Sequence, residues 1–193
     1  MRYKPYMKVA TGPWALDRGV GMIELELQDL LADKLREIFK DYSLLSKSGA
    51  LQTVQVFTQF LPQPEGITIR EKSSRGGFVP QGYQTDDIES NFPCAVVKVD
   101  VVLDELKRSL RKTTINTQII VGTYDNSKDC QGYRDVYNIM EKIRLELFSL
   151  PGFVLGERFR MSLPYTSQLL NDQEWPYFFG IIESTWEAAS PMY

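Results

Sequence analysis

Asp125, Ser127 and Asp129 take alternate positions in the run VGTYDNSKDCQGYRDVYNIMEKIRLELF (121–148), the spacing of the first three ligands of a calcium-binding loop. That loop also needs a glycine at its sixth position for the sharp turn and a bidentate glutamate at its twelfth. Cys130 and Val136 stand there instead. Strand, loop and helix in this order can also cradle a phosphate. A Walker loop, however, ends in Gly-Lys-Ser/Thr, whereas Gly132 here is followed by Tyr133. No GxGxxG fingerprint is present either. The stretch therefore reads as a capped connection, with Ser127 or Asp129 as N-cap and the carboxylates favouring the helix N-terminus.

The chain contains no histidine, which removes Ser-His-Asp and Cys-His systems and the commonest metal ligand. Its two cysteines, Cys94 and Cys130, form no CxxC pair, so no zinc site is expected. A disulfide between them stays open; inert thiols suit a reducing compartment better. Glu183 and Glu187 share one face of a strand, but strand rise separates them by ~13 Å, too far for a glycosidase pair. Solvated surface carboxylates are the simpler account. The expectation is no catalytic residue, no metal and no cofactor.

The whole-molecule field agrees. The 193 residues carry a net charge of −3, with 43% hydrophobic and 24% charged residues, a globular balance with no bias toward nucleic acid. No apolar run approaches the ~18 residues of a membrane span, and the N-terminus lacks the apolar core of a signal peptide. The reading is a soluble protein made in the cytoplasm, with no membrane partner.

The elements follow from periodicity. Residues 1–22 hold Pro5, Gly12, Pro13, Gly19 and Gly21 among Tyr3, Tyr6 and Trp14, and read as an N-terminal arm. In 23–42, Ile23, Leu27, Leu30, Leu31, Leu35, Ile38, Phe39 and Tyr42 recur at helical spacing. LQTVQVFTQFL (51–61) alternates as a strand ended by Pro62. Residues 62–92 read as a long projecting loop. FPCAVVKVDVVLDEL (92–106) reads as a strand whose first half is buried on both faces, with Ala95, Val97, Val99 and Val101 on one face and Val96, Lys98, Asp100 and Val102 on the other. The charged link DELKRSLRK leads as a hairpin connection or short helical turn to a strand over 113–124. Tyr133, Val136, Met140, Ile143, Leu147 and Leu150 mark a second helix, stopped by Pro151-Gly152. A strand over 157–163 is broken by Pro164, and another spans 177–187 with Phe178, Ile182 and Trp186 facing the core. The expected fold is a single α+β domain over 1–193: a small, mostly antiparallel sheet against two amphipathic helices.

One ordered set of features resembles the tail terminator (tail completion) proteins of long-tailed bacteriophages. It begins with a strand opening on Phe92-Pro93 and a strand ending in Gly122-Thr123-Tyr124. An acidic loop then leads to Gln131-Gly132-Tyr133-Arg134-Asp135 at a helix start, and a last strand runs from Pro176-Tyr177-Phe178-Phe179-Gly180 to Trp186-Glu187. The resemblance covers residues 92–189. It implies a structural, non-enzymatic virion protein at the head-proximal end of the tail. Copies of the chain would form a ring, in that family typically a hexamer. The ring would cap the tail tube protein, end elongation and offer the docking surface for a head-side neck or connector protein, with DNA only passing through its lumen. The long loop reads either as the subunit interface, with Arg70, Glu71, Lys72 and Arg75 pairing across subunits and Phe78 and Tyr83 as anchors, or as a plain solvated loop. Two rival expectations remain: another neck or head-completion component, and an enzyme using carboxylate or metal chemistry.

Overall fold

The computed structural model describes residues 22–45, 50–62, 91–107, 110–171, 173 and 175–189. Residues 1–21 of the expected arm and 63–90 of the expected loop lie outside them.

Helix α1 (Ile23–Phe39) buries Leu27, Leu31, Leu35, Ile38 and Phe39 along one stripe, with Glu24 and Glu26 in its first turn and Arg36 in its last, as the helix dipole favours. The stripe read from sequence reaches Tyr42, but the helix stops earlier. Tyr42 instead packs 6.1 Å from the Phe39 ring and lies under the Lys142 ammonium at 5.5 Å. Helix α2 (Gly132–Phe148) buries Val136, Ile139, Met140, Ile143 and Leu147. A 3-10 turn follows at Pro151–Phe153, where Gly152 takes a left-handed φ of 63° that a glycine accepts without strain.

A small antiparallel pair, β1 (Ser43–Leu45) with β2 (Leu51–Thr53), precedes the main sheet. That sheet has six strands: β3 (Gln55–Thr58), β4 (Cys94–Lys107), β5 (Leu110–Tyr124), β6 (Val154–Leu155), β7 (Phe159–Leu169) and β8 (Tyr177–Ala189), in the order β3-β4-β5-β8-β7-β6. Among the described residues strands hold 47% and helices 29%. The expectation of an α+β fold with a small sheet is therefore corrected to a mostly β fold, a large mixed sheet carrying two helices among the described residues. The physical reason is the length of the β4–β5 ladder, which continues to Lys107↔Leu110, well into the charged residues on both sides of the link. Charged residues suit an exposed hairpin as well as a loop, so composition hid the strand. The sheet is mixed because β3 runs parallel to β4, a pairing across 39 residues of sequence from Gln55 to Cys94 that no local pattern reveals. β7 also continues past Pro164; its ladder to β8 shifts register between Ser162 and Thr166 and resumes.

Both helices cover one face. Ala95, Val97, Ile115, Ile119, Val121, Phe178, Ile182 and Trp186 form that face together with Phe159 and Met161, and all are buried against α1 and α2. Burying each large apolar side chain contributes roughly 1.5–3 kcal/mol. Inside it sits a closed polar group: the Trp186 indole N–H donates to Ser184 Oγ at 3.0 Å and to Thr117 Oγ1 at 3.2 Å, and the two hydroxyls lie 2.9 Å apart. Every donor there is satisfied, so the indole is buried without a desolvation penalty left open. Buried Gln28 of α1 fixes the sheet edge, donating to Val97 O at 2.9 Å and to Gln59 Oε1 at 2.7 Å.

Candidate assembly surfaces

Three regions were candidates for chemistry or contact, and the geometry separates them. The loop before α2 is the first. Neither Ser127 nor Asp129 caps the helix; Gln131 is the N-cap residue and makes no side-chain capping bond. Asp125 folds the loop ahead of the helix, its Oδ1 accepting from the Ser127 backbone N–H at 2.8 Å. Burial pushes the Asp125 carboxyl up, but hydrogen bonds from Ser127 and from the backbone of Gly132 and Gln131 outweigh it, and the group lies below its ordinary value. Asp135 is raised by burial and then by the charge of Asp125. The alternation that resembled a calcium loop thus comes from a carboxylate satisfying helix N–H groups. Among the described residues no three His, Cys, Asp or Glu side chains are grouped as metal ligands.

Thr123 Oγ1 donates to Gly132 O at 3.0 Å and so ties the end of β5 to the start of α2. A Cβ on Gly132 would meet the Phe178 ring and lie 2.8 Å from the Asp125 Cβ. A Cβ on Gly122 would lie 2.7 Å from the Phe92 ring and 3.0 Å from Phe179. Phe92 in turn packs 5.1 Å from Tyr177 and 5.8 Å from Phe179, and Tyr124 packs 5.5 Å from Tyr177. Phe92, Gly122, Tyr124, Gly132, Tyr177 and Phe179 are therefore gathered at one end of the sheet, while Trp186 and Glu187 lie toward the other. Cys94 is buried there as a free thiol, pushed up to about 12 by burial, which a hydrogen bond from Gly122 partly offsets. Cys130 is a free, exposed thiol, so the open disulfide question resolves to two separate cysteines.

The second region is the face of the sheet turned away from the helices. Its rows run Val96, Ile120, Ile181, then Lys98, Gln118, Glu183, then Val101, Asn116, Thr185, Ser162. It passes from aromatic at the Phe92 end to polar at the other. Glu187 accepts from Lys112 at 2.7 Å and from Ser162 at 2.9 Å. Glu183 accepts from Gln118 and Thr166, each at 3.3 Å. The Lys112 and Ser162 bonds hold the Glu187 carboxyl below its ordinary value. Each carboxylate has its own cross-strand partners, so the two act as lattice points of a polar surface and not as an acid–base pair.

The third region is the outer half of β4. A register shift at Asp100 sets two β4 residues against one of β5, because Val99 faces Thr117 while Val101 faces Asn116. The bulge reverses the alternation read from sequence: Val102, not Val101, continues the core-side row of Ala95, Val97 and Val99. At this edge Val102 on the core side and Val101 and Leu103 on the other face are 39%, 40% and 51% exposed. β3 pairs only with Cys94 to Val97. The Gln59 side chain then spans the Val99 backbone, accepting from its N–H at 3.3 Å and approaching its carbonyl at 3.5 Å. From Asp100 to Lys107 no described strand lies beside β4 on its outer side.

Of the residues expected to form an interface, Arg70, Glu71, Lys72, Arg75, Phe78 and Tyr83 all lie outside the described residues. Burial on both faces stops with the first half of β4, as its sequence predicts, but periodicity gives the outer half no role; three consecutive apolar residues against a charged run, VVLDELK, were the available signal. No described helix is long and apolar enough to cross a membrane. No family model matches the chain, and no curated protein matches it.

Proposed function

We propose that the chain is a structural subunit that assembles with copies of itself into a ring capping the tail tube of a long-tailed bacteriophage, ending tube growth and offering a surface to the head-side neck. The observation that carries this reading is the gathering of the resembling residues, Phe92, Gly122, Tyr124, Gly132, Tyr177 and Phe179, around one strand–loop–helix junction. The described carboxylate clusters support it further, since each is consumed by a structural hydrogen bond. On the open face Lys112 is tied to Glu187, which weakens the hold of that one cation on a passing phosphate. The open sheet edge suits assembly by shape.

Deleting the gene from its phage and imaging the particles tests the proposal. Overlong tails, or tails without heads, are the expected phenotype. Normal tails beside heads that leak DNA would contradict it and move the chain to the head side of the neck.

A further inference from the structure

We propose that two copies of the chain pair about a two-fold axis at Ser167, the outer edge of β7 over 165–169 adding antiparallel to the same edge of the second copy while the flanks of the two α2 helices meet above it. The pairing does not rest on the proposed function. A two-fold contact closes on itself, whereas a ring needs contact between unlike surfaces. The pair is therefore a state of the free chain, and its failure leaves the ring proposal standing.

The strand supplies the register. β6 pairs with β7 only at Phe159 and Arg160, and the register shift after Ser162, with Pro164 inside it, blunts the middle of the strand. The ladder to β8 is regular again from Thr166 to Leu169, and among the described residues no strand lies on its other side. Leu170 donates its N–H to Phe179 O at 3.0 Å, so Thr166 and Gln168 turn their amides to β8, and Ser167 and Leu169 turn theirs outward. An axis through Ser167 sets its N–H and C=O against those of Ser167 in the second copy and sets Leu169 against Tyr165. YTSQL carries no charge, so the pairing opposes no like charges.

The helix above has a matching flank. The Tyr165 ring lies 5.4 Å from that of Phe148, and Leu169 is level with Gly180, whose added Cβ would meet Val136 and Met140. β7 therefore passes α2 from its last turns toward its first, and Ser167 is level with the stretch between Met140 and Arg144. On the flank that reaches Tyr165, Tyr133, Tyr137, Glu141, Arg144 and Phe148 follow at helical spacing, and Tyr137 is 50% exposed. Turning this flank about Ser167 brings Glu141 against Arg144 of the second copy, and Tyr137 against Phe148. Glu141 and Arg144 pair within one helix at 2.6 Å, so two such pairs meeting in opposite order form one network of alternating charge. The Tyr165 hydroxyl lies under the charge of both groups. Among the described residues it is the buried side-chain polar atom left without a hydrogen-bond partner, and the second copy's Glu141 offers it an acceptor.

A short ladder and one helix flank bury little area for a specific contact, so the pair is weak and is read at high concentration. Sedimentation equilibrium of the full chain should show monomer and dimer in a concentration-dependent balance. Ser167→Pro removes an N–H that β8 does not use and should leave the chain folded but monomeric. Arg144→Glu should weaken the dimer about tenfold, and adding Glu141→Arg to it should restore pairing, a recovery that a role confined to one helix would not give. In a chain carrying Cys130→Ser, Ser167→Cys should close a disulfide dimer on oxidation, because hydrogen-bonded antiparallel residues stand ~5.5 Å apart at Cα, within disulfide reach. A dimer that survives both Ser167→Pro and Arg144→Glu, or a chain that stays monomeric at millimolar concentration, would overturn the pairing. A monomer whose Ser167 amide resists hydrogen exchange would place another segment of the chain on this edge and overturn it as well.

Discussion

The inner and outer halves of β4 share a strand and a composition rich in valine, yet they have opposite fates. From Cys94 to Val97 the strand has β3 on one side, β5 on the other and helices above it, and all four residues are buried. From Val101 to Leu103 β5 is the only neighbour among the described strands, and all three residues are exposed. The sequence of the strand does not set this difference. It comes from the end of the β3 pairing at Val97 and from a one-residue bulge at Asp100. Apolar surface that folding leaves uncovered is where assembly has most to gain.

If the inner half belongs to folding and the outer half to assembly, substitutions in the two should separate cleanly. The largest loss is expected at the centre of the covered face: Trp186→Ala should cost about 3–5 kcal/mol in urea unfolding, since it empties the core and leaves the Thr117 and Ser184 hydroxyls without their donor. A cost below about 1 kcal/mol would mean that the core is not centred there. Gly132→Ala comes next at about 1–3 kcal/mol, because the new methyl meets Phe178 and Asp125.

The acid groups give smaller effects of opposite sign. Glu187 has a depressed folded pKa, so its contribution is present above the unfolded value and is lost as pH falls through the folded one. Because both side chains of the Lys112 pair are more than a third exposed, Glu187→Gln should remove less than about 1 kcal/mol near neutral pH and flatten the acid limb of the stability curve. Asp135 has a raised folded pKa, so stability falls as pH rises through it; Asp135→Asn should hold stability level over that range and leave the chain more stable than wild type at neutral pH. Equal acid limbs in wild type and both variants would contradict these assignments. The smallest stability effect belongs to the arm: Leu103→Ala should stay within about 0.5 kcal/mol of wild type while weakening self-association. A loss near 2 kcal/mol would show that the arm packs within its own subunit.

The same division explains what could be read from the sequence. The stripe Val136, Met140, Ile143, Leu147 and the row Phe178, Ile182, Trp186 were legible because one buried face imposes one period. The bulge at Asp100 was not, since valines on both sides of it conceal a change of face. The parallel β3–β4 pair depends on contacts remote in sequence. Asp125, and not Ser127 or Asp129, holding the start of α2 depends on a loop geometry that spacing alone does not fix. The strands that overturned the α+β expectation lay under charged residues whose exposure only the sheet explains.

The central claim is that this chain acts by closing a collar of its own copies at the head-proximal tip of a phage tail. Electron micrographs of virions carrying a labelled copy of the chain test it most directly. The account predicts label confined to the junction between tail tube and head. Label along the tube, at the distal tip or inside the head would contradict it.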